Sequence, residues 1–205
     1  MTLDAALAHL PIIAIVRGVK PDEAVSIGEA LYAQGVRAME VPLNSPEPLE
    51  SIRQLAAQFG ERMRIGAGTV LSAEQVAAVK AVGGQFIVSP NTDAAVIGAS
   101  LGLGMESLPG FSTPTEAFAA IAAGARFLKL FPAASYGASH LKAIRAVLPN
   151  TVKVIAVGGI GPTEMGLWHD AGASGFGLGS ELYRPGLSPA EVGKRTAACV
   201  AALGQ

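Results

Sequence analysis

Cysteine is almost absent from this chain. Only one of its 205 residues is a cysteine, Cys199, so no disulfide can form within the chain. Cys199 falls in a predicted C-terminal helix, where it is expected to pack as a small apolar side chain. A chain with so little cysteine is typical of a reducing compartment.

Charge of either sign is also limited. The 15 basic and 16 acidic residues leave a net charge of -1, and the basic residues are spread along the whole sequence. This distribution argues against a nucleic acid or a membrane surface as partner, because both are bound by a local excess of positive charge. Any anionic ligand must therefore be held by a local site.

The first residues, Met1 to Ala5, contain no basic segment and no long apolar stretch. A secretory signal needs both, and a membrane span needs about 20 apolar residues. The sequence therefore predicts neither, and we expect a cytoplasmic protein.

Potential metal ligands are sparse as well. The three histidines, His9, His140 and His169, all fall in predicted helices. None has a carboxylate or a second histidine at ligand spacing on a strand end, which a metal-dependent enzyme would require. We expect no metal and no cofactor.

The chain does have a regular alternation of short apolar runs with Ala-rich stretches of helical period. Strands are predicted at Ile12–Arg17, Ala38–Pro42, Met63–Gly66, Gln85–Ser89, Met105–Pro109, Phe127–Leu130, Lys153–Val157 and Gly175–Leu178. Helices are predicted at 21–34, 46–59, 72–82, 93–101, 114–123, 139–148, 163–171 and 188–202. Eight βα units with strands apolar on both faces predict one domain over residues 1–205, an α/β fold of the (β/α)8 TIM barrel type. A doubly wound open sheet is the alternative.

In such a barrel the chemistry lies at the C-terminal ends of the strands. Polar or turn-forming residues stand at six of these ends: Arg17, Glu40, Thr69, Asn91, Pro109 and Lys129. These positions are therefore the first to consider for a functional site.

Lys129 lies inside an apolar strand, where it shares one face with Phe127 and Phe131. Burial disfavours the charged form of lysine, so its pKa should fall and leave a neutral amine that can attack a carbonyl. A lysine that reaches water or pairs with a carboxylate is the other interpretation.

Glu40 is a second charge inside an apolar strand, between Met39 and Val41. A buried carboxyl group has a raised pKa, which suits a group that moves protons near neutral pH. A structural ion pair with Lys129 is the alternative. Glu106 is a weaker competitor, because it stands nearer the start of its strand.

Two glycine clusters follow the last two strands. Val157, Gly158 and Gly159 precede a predicted helix, and Gly179 and Ser180 close the eighth strand. Loops at these places form the recurrent phosphate site of such barrels, since exposed N–H groups and a helix dipole attract an anion. The clusters indicate a phosphorylated small molecule, either a sugar phosphate or a phosphorylated keto acid.

Taken together, these motifs resemble a known family, the class I aldolases that cleave 2-keto-3-deoxy-6-phosphosugar acids. The resemblance extends from about Ile12 to Tyr183. It is carried by Glu40–Pro46, Gly66–Val70, Pro109–Gly110 with Thr113–Glu116, Leu128–Pro132, Val157–Gly159 and Gly177–Ser180. It implies a TIM barrel that works without a cofactor, and a homotrimer.

Two positions distinguish the branches of that family. The gluconate branch typically has an arginine after the catalytic glutamate and a threonine before the paired glycines. Here Asn44 and Val157 stand in those places, so the chain resembles the branch that acts on the galactonate-derived C4 epimer. The resemblance implies cleavage to pyruvate and glyceraldehyde 3-phosphate.

The resemblance also implies residue roles. Lys129 would form a Schiff base and Glu40 would transfer protons. The predicted substrate-binding residues are Arg17, Thr69, Asn44, Pro90, Val157, Gly158, Gly159, Gly179 and Ser180. In this set Thr69 and Arg17 hold the carboxylate end, while the glycine loops and Ser180 hold the phosphate.

Two further hypotheses remain from the residues alone. A sugar-phosphate isomerase or epimerase could use the same barrel, because a fold does not fix a reaction. A non-catalytic phosphate binder would keep the glycine loops, although it would have no use for Lys129 and Glu40 buried together. A gluconate-type aldolase is the alternative within the family.

Overall fold

The computed structural model describes residues 1–204. Within them the strands are β1 (Ile12–Ile15), β2 (Ala38–Pro42), β3 (Arg64–Gly68), β4 (Phe86–Val88), β5 (Glu106–Leu108), β6 (Gly110–Phe111), β7 (Phe127–Leu130), β8 (Lys153–Val157) and β9 (Gly175–Leu178). The helices are α1 (Leu3–His9), α2 (Pro21–Ala33), α3 (Pro48–Phe59), α4 (Ala73–Ala81), α5 (Ala94–Gly102), α6 (Pro114–Ala122), α7 (Ala133–Tyr136), α8 (Ala138–Arg145), α9 (Met165–Asp170) and α10 (Pro189–Leu203). A 3-10 helix, Pro162–Glu164, precedes α9. None of the helices in residues 1–204 has both the length and the apolar character needed to span a bilayer.

The strands form one parallel sheet that curves into a barrel. β1 pairs with β2 on one side and with β9 on the other, so the first and last strands are neighbours. The sheet order runs β5-β4-β3-β2-β1-β9-β8-β7-β6. The predicted (β/α)8 barrel is confirmed, and the open-sheet alternative is wrong.

β5 falls within the predicted fifth strand, Met105–Pro109, whereas β6 lies beyond Pro109, where that strand was predicted to end. β5 pairs with β4, whereas β6 pairs with β7. Proline has no N–H to give to a ladder, so a strand breaks readily there. The carbonyl oxygen of Pro109 still accepts a hydrogen bond of 2.8 Å from the N–H of Lys129. The break therefore lies beside the buried lysine.

Three other strands differ in their ends from the prediction: β1, β3 and β4, of which β4 is one residue shorter at each end. β1 ends at Ile15, not Arg17, because Gly18 turns the chain with a φ of 84°. β3 continues to Gly68 instead of stopping at Gly66, since Gly68 still pairs with Pro42. Arg17 consequently lies in a loop beyond its strand.

The N-terminal end of the barrel is closed by α1, which the sequence analysis missed. Leu3, Ala6 and Leu7 of this helix are buried against apolar side chains of the barrel interior. The N–H of Leu3 donates to Oε1 of Glu106 at 2.9 Å, and Arg64 pairs with the other oxygen of Glu106. Glu106 thus has structural partners at the end of the barrel opposite the strand exits.

Candidate active site

Lys129 extends from β7 into the upper part of the barrel. It is 6% exposed. As the alternation predicts, Phe127 packs in the barrel interior, whereas Leu128 and Leu130 pack in the outer layer towards the helices. The Nζ atom lies 4.7 Å from the ring centre of Phe131. An apolar strand with one lysine on its inner face therefore presents a single amine to the interior.

The pKa of Lys129 is lowered from its ordinary value, mainly because burial disfavours the ammonium form. The negative charge of Glu40 opposes this shift, and the positive charge of Arg17 adds to it. A larger fraction of the amine is thus neutral near pH 7 than for an exposed lysine. A neutral amine can add to a ketone.

Glu40 extends inward from β2 and is 2% exposed. Burial raises its pKa to about 7, although the charges of Lys129 and Arg17 both act to lower it. Its Oε2 atom is buried and receives no hydrogen bond from any residue in 1–204. A carboxyl group in this state can both give and accept a proton near neutrality.

Glu40 and Lys129 are brought to the same interior but form no direct ion pair. Each nevertheless affects the pKa of the other. The structural ion pair considered as an alternative is therefore not the observed arrangement. A buried amine and a separate buried carboxyl group provide a nucleophile and an acid–base group that can act on one substrate.

Arg17 lies in the loop after β1, and its Nη1 atom donates a hydrogen bond to Oδ1 of Asn44 in the loop after β2. The backbone N–H of Gly18 donates to Oγ of Ser45 at 3.0 Å. The two predicted site residues, Arg17 and Asn44, are thus brought together by a hydrogen bond to each other. The amide nitrogen is the part of Asn44 that this bond leaves to a ligand. Sequence reasoning missed Ser45, because no local pattern shows a bond across 27 positions.

Thr69 follows β3 in the left-handed region, with a φ of 57°. This conformation is uncommon for a β-branched residue and costs about 1–3 kcal/mol, and such strain is concentrated at functional sites. Thr69 is half-buried at the strand exit. The structure thus places its hydroxyl group on the same end of the barrel as Glu40.

Pro90 and Asn91 follow β4. A Cβ atom added to Gly110 would come within 2.1 Å of the Pro90 carbonyl oxygen, so the two backbones are in close contact. Gly110 in turn pairs with Lys129 in the sheet. Pro90 therefore lies next to the strand pair that carries the lysine, while Asn91 is exposed.

The glycines after β8 form a tight turn. Gly158 and Gly159 have φ values of 102° and 72°. A Cβ atom on Gly159 would approach the Ala134 side chain to 2.8 Å. Val157 is buried in the barrel interior just before this turn. Successive N–H groups in such turns can bind an anion.

The helix expected after this turn does not begin as an α-helix. A 3-10 turn comes first, and the N–H of Gly161 donates to Oε2 of Glu164 at 2.9 Å. Glu164 therefore accepts from an N–H group that would otherwise be available to an anion. The anion-binding helix terminus expected from the sequence is therefore partly occupied by the chain's own carboxylate.

Ser180 and Gly179 lie at the exit of β9. The Ser180 hydroxyl group donates to Oε1 of Glu181 at 3.1 Å. The side chain of Ser180 is exposed, so it can reorient towards a ligand. No group of three or more His, Cys, Asp or Glu residues suited to a metal ion occurs within residues 1–204.

Comparisons with known proteins agree with this geometry. The family model described as KDPG and KHG aldolase matches residues 3–198. The chain is 47% identical over 193 residues to the 2-dehydro-3-deoxy-6-phosphogalactonate aldolase of Escherichia coli K12, covering 94% of each protein. It superposes on a native KDPGal structure with a TM-score of 0.94, at 47% identity and 95% coverage of each chain. A KDPG aldolase from Legionella pneumophila, with pyruvate captured at low pH as a covalent carbinolamine intermediate, matches with a TM-score of 0.84, at 28% identity and 98% coverage of each chain.

Proposed function

The chain belongs to the KDPG and KHG aldolase family, and from this premise we propose that it cleaves 2-dehydro-3-deoxy-6-phospho-D-galactonate to pyruvate and D-glyceraldehyde 3-phosphate. The observation that carries the proposal is the pair of Lys129 and Glu40, both buried in the upper barrel without an ion pair between them. The reaction needs no metal and no cofactor, because these two side chains supply the nucleophile and the acid–base group.

Lys129 begins the reaction. Its neutral amine forms a bond to C2 of the keto acid, and the carbonyl oxygen takes up a proton to give a carbinolamine. Loss of water, assisted by Glu40, then gives a protonated imine. The captured carbinolamine of the Legionella relative is an intermediate of this kind. The imine accepts the electron pair that the next step releases.

Glu40 transfers the protons. As a carboxylate it takes the proton of the C4 hydroxyl group, directly or through a water molecule, while the C3–C4 bond breaks. The bonding electrons move into the imine to form an enamine, and glyceraldehyde 3-phosphate leaves. Glu40 then returns a proton to C3, and hydrolysis releases pyruvate and the free amine. A pKa of about 7 lets one group perform both steps.

The two ends of the substrate are bound by different loops. Arg17 and Thr69 hold the carboxylate end, since a guanidinium group matches a planar anion. Pro90, whose backbone contacts Gly110 next to the lysine strand, limits the space near the adduct. The phosphate is bound by the N–H groups of the tight turn after β8 and of the β9 exit, where the Ser180 hydroxyl group turns from Glu181 to the ligand. The phosphate-binding residues are Gly158, Gly159, Gly179 and Ser180.

The galactonate-derived epimer is favoured over its gluconate counterpart for two reasons. The relative that is 47% identical is a phosphogalactonate aldolase. In addition, Val157 presents an apolar surface and Asn44 an amide where the gluconate branch typically has threonine and arginine. These residues differ in hydrogen bonding, and a hydrogen bond to one hydroxyl group is enough to discriminate between epimers.

The experiment that tests this proposal compares the two epimers directly. Pyruvate release is measured with lactate dehydrogenase, and kcat/KM is determined for the phosphogalactonate and phosphogluconate substrates. We expect a ratio above one in favour of the galactonate epimer. A ratio at or below one assigns the chain to gluconate-type or broad aldolases. If neither epimer yields pyruvate, the aldolase proposal is wrong and the isomerase hypothesis is favoured.

The nucleophile is tested separately. Borohydride added with pyruvate should label the wild-type protein with one adduct, and Lys129→Ala should abolish it. Lys142→Ala is the matched control, because Lys142 is exposed on α8. An adduct that persists on the Lys129 variant would contradict the assignment.

We further propose a homotrimer in the cytoplasm that acts in galactonate breakdown. The oligomer is supported by apolar side chains left exposed on the helices and loops, such as Phe118, Val147 and Leu167, which a partner subunit would cover. Light scattering of the purified protein should give three times the chain mass. A monomeric mass would rule out the trimer without affecting the chemistry.

A further inference from the structure

Gly68 and Glu40 occupy one space at the strand exits of the barrel. A Cβ atom added to Gly68 would lie 2.0 Å from Oε2 of Glu40 and 2.4 Å from its carboxyl carbon. Real Cβ atoms do not approach other atoms so closely, so the carboxyl group lies where the side chain of any other residue would begin. Glycine at position 68 is therefore a condition for the observed position of Glu40.

We propose that Gly68 is a positioning residue, whose missing side chain fixes the place of the Glu40 carboxyl group for proton transfer. The inference rests on the proposed aldolase function, in which Glu40 is the acid–base group. It extends that function to a residue that has no side chain of its own.

The register of the sheet explains the contact. Glu40 pairs across the ladder with Gly66, and Gly68 lies two residues further towards the strand exits. Residues 66 and 68 are on the same face of β3, because side chains alternate along a strand. The Glu40 side chain therefore leans along the neighbouring strand, from the level of Gly66 to that of Gly68. The four bonds from the Cα atom of Glu40 to its carboxyl oxygens therefore end beside the backbone of Gly68, which carries no side chain.

Hydrogen bonding does not fix the carboxyl group. Its Oε2 atom is buried and accepts no hydrogen bond within residues 1–204. A buried carboxyl group usually obtains its position from donors around it. Here the carboxyl group lies beside the backbone of Gly68, so we infer that close packing, and not hydrogen bonding, determines its position.

The test is Gly68→Ala, because a methyl group is the smallest side chain that enters this space. We expect kcat for cleavage to fall about 100-fold, since a displacement of about 1 Å costs this much in a proton-transfer geometry. The KM should change less than kcat, because the residues proposed to hold the carboxylate and the phosphate keep their side chains. The acidic limb of the pH–rate profile should move to lower pH, since a carboxyl group pushed towards the barrel opening is less buried.

Gly66→Ala is the matched control. It adds the same methyl group to the same face of the same strand, but its Cβ atom meets the ring and the backbone carbonyl oxygen of Phe86, each at 2.6 Å, instead of the carboxyl group. It should lower stability while leaving the kcat of the folded protein within a few-fold and the pH limb in place. If Gly66→Ala lowers kcat and moves the limb as much as Gly68→Ala does, the inference is wrong.

A double variant keeps the test decisive even if Gly68→Ala does not fold. Glu40→Asp shortens the side chain by one methylene group and withdraws the carboxyl group from the added methyl. Gly68→Ala should therefore cost about 5-fold or less in the Glu40→Asp background, against about 100-fold in the wild type, because contacting residues are not additive. Equal costs in both backgrounds, or a double variant that also fails to fold, would overturn the inference.

A second readout separates this inference from the proposed function. Exchange of the C3 protons of pyruvate with solvent deuterium, followed by NMR, reports enamine formation alone. Wild-type protein without exchange contradicts the aldolase proposal itself. Wild-type exchange that Gly68→Ala leaves unchanged contradicts only the role of Gly68.

Discussion

The guanidinium group of Arg17 is hydrogen-bonded to the amide oxygen of Asn44, which joins the loop after β1 to the loop after β2. The charge of Arg17 lowers the pKa of both Lys129 and Glu40. By holding the Arg17 side chain, Asn44 therefore determines the position of a positive charge that acts on both Lys129 and Glu40. This relationship gives Asn44 an indirect influence on the chemistry in addition to any contact with substrate.

Asn44→Ala should release the Arg17 side chain and raise KM for the keto acid about 10-fold, since a hydrogen bond to a charged group is worth about 1.5–3 kcal/mol. Steady-state kinetics of pyruvate release measures the effect. Asn150→Ala is the control, because Asn150 is exposed in the turn before β8. A KM that is unchanged in Asn44→Ala would show that the bond does not hold Arg17 for binding.

Glu40 should reduce the stability of the protein at alkaline pH. Its pKa is about 7 when folded, above the ordinary value of 4.5, so the folded state keeps a proton that the unfolded chain has released. Stability from this group is therefore present below pH 4.5, falls as the pH rises, and is lost above pH 7. Over this pH range the free energy of unfolding should fall by a value on the order of 3 kcal/mol.

Glu40→Gln cannot ionise, so it should be more stable than the wild type at pH 8 and should lose most of that advantage at pH 4.5. Urea unfolding at the two pH values measures the difference. The exposed Glu61→Gln serves as control. A Glu40→Gln advantage that does not vary with pH would mean that the carboxyl group is not buried as observed.

Glu106→Gln tests the carboxylate that competed with Glu40 in the sequence. Glutamine keeps one acceptor oxygen for Arg64 or the N–H of Leu3 but loses the other and the negative charge, which should destabilise the protein by about 1–3 kcal/mol. The kcat should stay unchanged because the group lies at the opposite end of the barrel. Asp4→Asn is the comparison: its partner Lys153 is 38% exposed, so the cost should be within about 1 kcal/mol. A large fall in kcat for folded Glu106→Gln would return Glu106 to the site.

The barrel, and the burial of the two charged residues Lys129 and Glu40 in its strands, could be predicted from the sequence alone, and the reason is local. Lys129 and Glu40 each interrupt an apolar strand, and such an interruption is visible within five residues. The alternation of strands and helices is likewise a short-range pattern. Helix α1 was missed because seven residues contain too few turns for a clear period, although Thr2 caps it by accepting from the N–H of Ala5.

Contacts between strands could not be predicted in the same way. The approach of Glu40 to Gly68 depends on the register of β2 against β3, which neither strand specifies alone. The bond between Arg17 and Asn44 joins two loops across 27 positions. Sequence patterns show which residues are unusual, whereas the positions of their neighbours follow only from the folded barrel.

Gly159→Ala tests the proposed phosphate site in the turn after β8. Alanine is strained at a φ of 72°, and its Cβ atom would press against Ala134 at 2.8 Å. The turn should open and lose N–H contacts to the phosphate, which raises KM for the phosphorylated substrate about 10- to 100-fold. Borohydride trapping of pyruvate on Lys129 should be unaffected, because pyruvate has no phosphate.

Gly166→Ala, in α9, is the control for that variant. A Cβ atom there meets nothing within 4 Å, and the residue is helical with no positive φ. Alanine should therefore stabilise the helix by roughly 0.5–1 kcal/mol without changing KM. If Gly159→Ala weakens pyruvate trapping as much as it weakens cleavage, the turn supports the barrel as a whole and does not bind the phosphate, because only the phosphorylated substrate can report a lost phosphate contact.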